Sequence, residues 1–108
     1  MPFRAALILC LSLAASPALA QAFGSVHCKA ALRQIEVDQT AAQRRVDATR
    51  AQGGATACSA LNVNVLTLDH AKEVYGSCTA DVERSDKLAR ITAAKAQTED
   101  ALLAQSCK

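Results

Sequence analysis

Tryptophan is absent from the 108-residue sequence, and aromatic side chains of every kind make up only 3% of it. Single-stranded nucleic acids are held largely on aromatic faces, and sugars stack on the same platforms, so a chain this poor in aromatics is equipped for neither. An excess of one charge is also lacking, because 12 basic residues against 10 acidic ones leave a formal net charge of +2. Binding to nucleic acid or to an anionic membrane surface needs a much stronger basic bias. Missing too are a Gly-x-Ser-x-Gly elbow, a glycine-rich phosphate loop and a His-Glu-x-x-His pair. The chain therefore reads as a non-enzymatic protein with no catalytic residues and no cofactor called for.

A hydrophobic run long enough to cross a bilayer is a further absence. Spanning takes about 20 apolar residues, and the apolar stretch that begins at Ala5 breaks at Ser16-Pro17. It has instead the three parts of a signal peptide: Arg4 as the positive head, an apolar core through Leu13, and the small residues Ala18 and Ala20 before Gln21. Cleavage is expected between Ala20 and Gln21, which makes residues 1–20 a signal peptide and residues 21–108 a single small helical domain with no membrane span. Cys10 is a poor lipoprotein site, since too few residues precede it and bulky Leu9 stands where a small residue is wanted. Without Arg4 the mature chain carries 11 basic and 10 acidic residues, a net of +1. Export to the periplasm or the medium is the compartment this implies. The short apolar core, the Ala-Leu-Ala site and the Ala- and Arg-rich composition point to a bacterium with a GC-rich genome.

Cleavage leaves Cys28, Cys58, Cys78 and Cys107, an even set in a short exported chain, which is the usual signature of two structural disulfides. Neither a Cys-x-x-Cys redox pair nor short zinc-ligand spacings occur. Facing residues of an antiparallel helical hairpin have residue numbers of constant sum; Cys28 with Cys107 gives 135 and Cys58 with Cys78 gives 136. That nested pairing is the one expected. The rival is a three-helix bundle pairing Cys28 with Cys78 and Cys58 with Cys107. Its middle helix would span roughly 27 Å against roughly 40 Å for the third at 1.5 Å per residue, a poorer match.

Residues 25–52 carry a helical pattern, with Cys28, Leu32, Ile35, Gln39, Ala42, Val46 and Thr49 on one stripe. Ser25 is the candidate N-cap and Gln52-Gly53-Gly54 the stop. The opposite face alternates charge, and Arg44-Arg45 belongs to that solvated surface. Residues 79–106 form a second arm, with Thr79 as N-cap and Asp81 and Glu83 in its first turn. Its expected stripe runs through Val82, Ala89, Ala96 and Leu103, in line with Cys78 and Cys107 and widened by Leu88, Ile91 and Leu102. Glu83 with Lys87 and Asp86 with Arg90 are favourable i,i+4 pairs. Between the arms, Leu61-Asn62-Val63-Asn64-Val65 alternates with period two, which predicts an extended stretch over 59–66. A short helix over 67–76, capped by Thr67 or Asp69 and closing at Gly76, follows it. The predicted fold is thus all-α, a long antiparallel helical hairpin with a folded-back middle segment, or alternatively a three-helix bundle, stapled by disulfides.

Two histidines remain as possible chemistry. His27 adjoins Cys28 in sequence, so on a helix the two point about 100° apart and do not pair as base and nucleophile. His70 and Glu73 share a helical face as a two-ligand fragment, with His27 as a third ligand only if the fold brings it there. Three threonine-containing segments, at residues 39–43, 66–70 and 91–95, fall short of the full Leu-Thr-x-x-Gln motif of small helical periplasmic stress proteins, so no family residues carry over. The expected role is an exported interaction or structural accessory protein, with another protein of the envelope or extracellular space as its partner. The alternative is a metal-binding or thiol-redox protein using the cysteines with His27 and His70.

Overall fold

The computed structural model describes residues 25–107, which fold as three α-helices. The expected cleavage site between Ala20 and Gln21, and the signal peptide before it, lie outside the described residues. The helices are α1 (Val26–Thr49), α2 (Gly54–Cys78) and α3 (Asp81–Ala104). They run up, down and up, and α1 and α3 each pack against α2. The fold is all-α and disulfide-stapled, in the three-helix form.

The first helix follows its sequence pattern. Ser25 accepts a hydrogen bond from the Cys28 N–H at 3.1 Å, so it caps the N-terminus by giving an orphan donor an acceptor. Cys28, Ile35, Ala42 and Val46 are buried, with Leu32, Gln39 and Thr49 half-buried beside them. At the far end Gly53 and Gly54 both have positive φ, +60° and +58°. This is the left-handed region that L side chains avoid, and it turns the chain from α1 into α2. The Gln52 and Gly53 N–H groups bond back to the Thr49 carbonyl there.

The middle segment departs from expectation, since residues 59–66 are helical and belong to one 25-residue helix that runs past Gly76 to Cys78. The buried face of α2 explains it: Ala57, Ala60, Leu61, Asn64, Leu68, Ala71, Val74, Tyr75 and Cys78 recur at helical steps of three and four. The period-two alternation of Leu61 to Val65 does not match burial, because Asn64 points inward while Val63 and Val65 are only half-buried. At 1.5 Å per residue α2 is about as long as its neighbours, which removes the length mismatch that counted against a bundle. The disulfides accordingly join Cys28 to Cys78 and Cys58 to Cys107, with Cα separations of 5.3 and 5.6 Å. The nested pairing of Cys28 with Cys107 and Cys58 with Cys78 is overturned: it needed the outer arms to face each other, whereas each faces α2.

The third helix presents a different face from the one expected. Val82 and Leu103 are 82% and 77% exposed, and Ala89 and Ala96 are exposed with them. Of the expected face, only the side widened by Leu88, Ile91 and Leu102 turns inward: Ile91 is buried together with Thr98, and Leu88, Lys95 and Leu102 are half-buried beside them. The expected stripe was aligned on Cys78 and Cys107, and neither residue lies in α3. Thr79 does not cap α3 either. Its N–H and its hydroxyl both bond to the Tyr75 carbonyl, closing α2, while Ala80 occupies the α3 N-cap without a side-chain bond. Arg84 locks the corner by donating from Nε and Nη2 to the Thr79 carbonyl at 2.9 and 2.7 Å.

Two apolar clusters result. The larger, at the lower end, joins Cys28 and Ile35 of α1, Leu68, Ala71, Val74, Tyr75 and Cys78 of α2, and Ile91 of α3. The smaller, at the upper end, consists of Val46, Ala60 and Leu61, with Ala101, Leu102 and Cys107 packed against it.

Peptide mapping of the unreduced protein is expected to recover the Cys28–Cys78 and Cys58–Cys107 pairs and no nested species. Loops of 50 and 49 positions are closed, so replacing either pair by serine should lower unfolding free energy by about 2–4 kcal/mol in denaturant titration. Nothing lies within 4 Å of a Cβ added at Gly54. Gly54→Ala should therefore register conformational strain alone, a loss of about 1–2 kcal/mol by the same titration.

Candidate functional site

Where α1 and α3 flank the middle of α2, they leave a groove of about 390 Å³. Gln39, Thr40, Gln43, Arg44 and Asp47 form its α1 wall, Asn64 and Leu68 its floor, and Ala94 its α3 wall. Its existence follows from the packing, because α1 and α3 each lie against α2 and their backbones do not approach each other. Thr98, one turn beyond Ala94, is directed to α2. Towards the upper end lies a smaller, partly open pocket of about 50 Å³ bounded by Val46, Arg50, Ala57, Leu61, Ala101 and Gln105.

The floor is polar yet satisfied. Asn64 Nδ2 donates to Thr98 Oγ1 at 3.1 Å, and Thr98 Oγ1 donates to the Ala94 carbonyl at 2.8 Å. Among the described residues no buried side-chain nitrogen or oxygen lacks a partner, which is what a buried amide requires if it is not to destabilise the core. Below the groove, Gln39 Nε2 donates to the Tyr75 hydroxyl at 3.2 Å. On the other side of that ring Lys87 Nζ sits 5.5 Å from the centroid, in cation–π range. Lys87 thus turns to Tyr75, and of the two expected pairs on α3 it is Asp86 with Arg90 that forms, at 3.4 Å and exposed.

On the α1 wall Asp47 accepts from Gln43 Nε2 at 3.1 Å and from Arg50 Nη2 at 3.2 Å. Arg44 stands at the rim, exposed, between this groove and a shallower depression lined by Glu36, Val37, Thr40 and Ala41. The groove therefore offers amide and hydroxyl groups, one guanidinium and one carboxylate that is already engaged. It can bind through hydrogen bonds. It holds no nucleophile next to a base and no pair of carboxylates.

The other residues singled out in the sequence lie elsewhere. His27 and His70 are both exposed, His27 at the start of α1 and His70 on α2. Asp69 is engaged by Lys95 Nζ at 2.8 Å, linking α2 to α3. The hydrogen bond that Lys95 donates to Asp69, and then the charge of that carboxylate, hold the Lys95 ammonium above the ordinary lysine value. Among the described residues no three His, Cys, Asp or Glu side chains are grouped to hold a metal ion. None of the described helices is long and apolar enough to cross a membrane. The sequence carries one sign of the groove, an amide at Gln39 in the middle of a largely apolar stripe. The floor residue Asn64 carries none, because the alternation of Leu61 to Val65 points to an extended segment.

The Asn64–Thr98 bond supports a test of whether the groove floor is held by polarity or by fit. Asn64→Ala should cost about 1–2 kcal/mol in thermal or chemical unfolding. The paired change Asn64→Leu with Thr98→Val removes donor and acceptor together and should be close to neutral, within about 1 kcal/mol.

Compared with protein-family models, with curated proteins and with solved structures, the chain matches none.

Proposed function

We propose that the chain is a small exported, non-enzymatic protein that works by presenting a rigid helical surface to another protein of the envelope or extracellular space. The observation that carries this reading is the bracing of α2. One disulfide ties its C-terminal end to α1 and the other ties its N-terminal end to the end of α3, so the walls of the groove are fixed relative to its floor. Preorganisation of that kind lowers the entropic cost of association. The disulfides are compatible with an oxidising compartment, in keeping with the signal-like segment over residues 1–20. The dispersed placement of His27, His70 and the carboxylates adds weight to binding over catalysis.

The groove is the surface to which we assign the interaction. Arg44 at its rim, with Gln43 and Thr40 beside it, suits carbonyl and carboxylate groups of a polypeptide, and arginine is among the residues that most often dominate an interface. Immobilised oxidised protein should capture a saturable partner from an envelope extract. The double change Gln43→Ala with Arg44→Ala should weaken that capture at least about tenfold, with the unfolding midpoint unchanged because both side chains are exposed. Absence of a saturable partner for oxidised and reduced protein alike would overturn the reading.

A further inference from the structure

The two bridges close loops of almost equal size, 50 and 49 positions, so chain entropy gives neither an advantage. Their surroundings differ. Cys28 and Cys78 are 3% and 9% exposed and lie within the larger apolar cluster, beside Ile35, Tyr75 and Ile91. Cys58 and Cys107 are only half-buried, and both line an open cleft of about 630 Å³ on the outer side of α2 and the end of α3. Ser59, Asn62, Gln105 and Ser106 give that cleft polar groups, beside apolar Val63 and Leu66. Cys107 itself sits beyond the last residue of α3, in a turn where Ser106 has a φ of +56°.

From this asymmetry we infer that Cys58–Cys107 is a thiol-exchange site for a dithiol reductant, and that opening it releases the upper end of the bundle while Cys28–Cys78 holds the lower end closed. Thiol–disulfide exchange needs the attacking thiolate to reach a sulfur atom, and the cleft provides that approach at Cys58–Cys107, whereas Cys28 and Cys78 lie within the larger cluster. The thiolate of the reductant attacks Sγ of Cys58 or Cys107, the S–S bond breaks, and its electron pair leaves on the other cysteine, which takes up a proton. The second thiol of the reductant then attacks the mixed disulfide and frees the first cysteine as a thiol. The protein gains two electrons and two protons, and the dithiol becomes a disulfide.

Release would be local because of what each bridge supports. The upper cluster is small, Val46, Ala60 and Leu61, and Cys107 is one of the residues packed against it. It also borders the small pocket between Val46, Ala57, Leu61 and Ala101. The lower cluster keeps its own bridge and the larger share of the core. Reduction of Cys58–Cys107 therefore frays the first turns of α2 and the last turns of α3, and exposes Ala57 and Leu61.

The test is stepwise reduction of the native chain by dithiothreitol, with alkylation of freed thiols and mass mapping at each time point. Cys58 and Cys107 should be labelled at least about tenfold faster than Cys28 and Cys78, as expected when one site needs no opening and the other needs unfolding. Hydrogen exchange on the singly reduced form should accelerate over residues 54–61 and 98–107, with Ile35, residues 71–78 and Ile91 still protected. Equal labelling rates, or Cys28–Cys78 opening first, would overturn the inference. So would loss of protection throughout the chain on reduction of the first bridge, or failure of a Cys58→Ser/Cys107→Ser variant to keep its helical content with Cys28–Cys78 intact.

Discussion

A helix held covalently at both ends, each time to a different neighbour, sets the terms for everything around it. The interior of this bundle is thin: Ala42, Ala57, Ala60 and Ala71 stand at four of its thirteen buried apolar positions, and Ile35 is the largest fully buried side chain among the described residues. Alanine buries little apolar area, and at about 25 cal/mol per Å² such contacts scarcely offset the entropy of ordering a chain of this size. Because α1 and α3 each pack on α2, every flanking helix depends on one face of contact and one bridge. Cross-linking that restricts the unfolded ensemble is thus not an accessory to the core but the complement of its smallness.

How much of this was readable in the sequence depended on whether the local signal and the tertiary one agreed. In α1 they did: the stripe from Cys28 to Thr49, the Ser25 cap and the glycine pair all point to the same helix, and all three are found. In α2 they conflicted. Alternating Leu, Asn and Val between 61 and 65 looks like a strand in isolation, yet Ala57, Leu61, Asn64, Leu68 and Ala71 line up only on a helix, and burial against two neighbours decides the matter. Asparagine is a poor helix residue because its side chain competes for backbone groups. At position 64 that side chain is committed to Thr98 instead. A short middle helix favours the nested cysteine pairing, whereas the full-length α2 favours the pairing found; and because Cys78 and Cys107 lie outside α3, a stripe in line with them centres on exposed Val82 and Leu103 and catches the true inner face, Leu88, Ile91 and Leu102, only at its side. The groove was less legible still, since its walls come from helices more than 40 residues apart in the chain that meet only through α2.

The polar contacts between helices do a different job from the bridges. Gln39 with Tyr75, Asn64 with Thr98 and Asp69 with Lys95 each join α2 to one neighbour at one height. Alanine-rich faces slide past each other with little penalty, because successive alanines present nearly the same surface. A hydrogen bond or ion pair with a single acceptable partner removes that degeneracy, although exposed ion pairs contribute little net stability. Register along the bundle is thus fixed by a few polar pairs, and closeness by the cysteines.

The order in which the bridges interleave along the chain has a further consequence, for survival after damage. The corners at residues 50–53 and 79–80 are where a protease meets non-helical backbone. Cuts at both would divide the described residues into three separate helices, yet Cys28–Cys78 would still join the first to the second and Cys58–Cys107 the second to the third. Under nested pairing the middle helix would carry a bridge only to itself and would drift away. With the pairing found here, a doubly nicked molecule remains one covalent particle, and its three helices can close again around the same core.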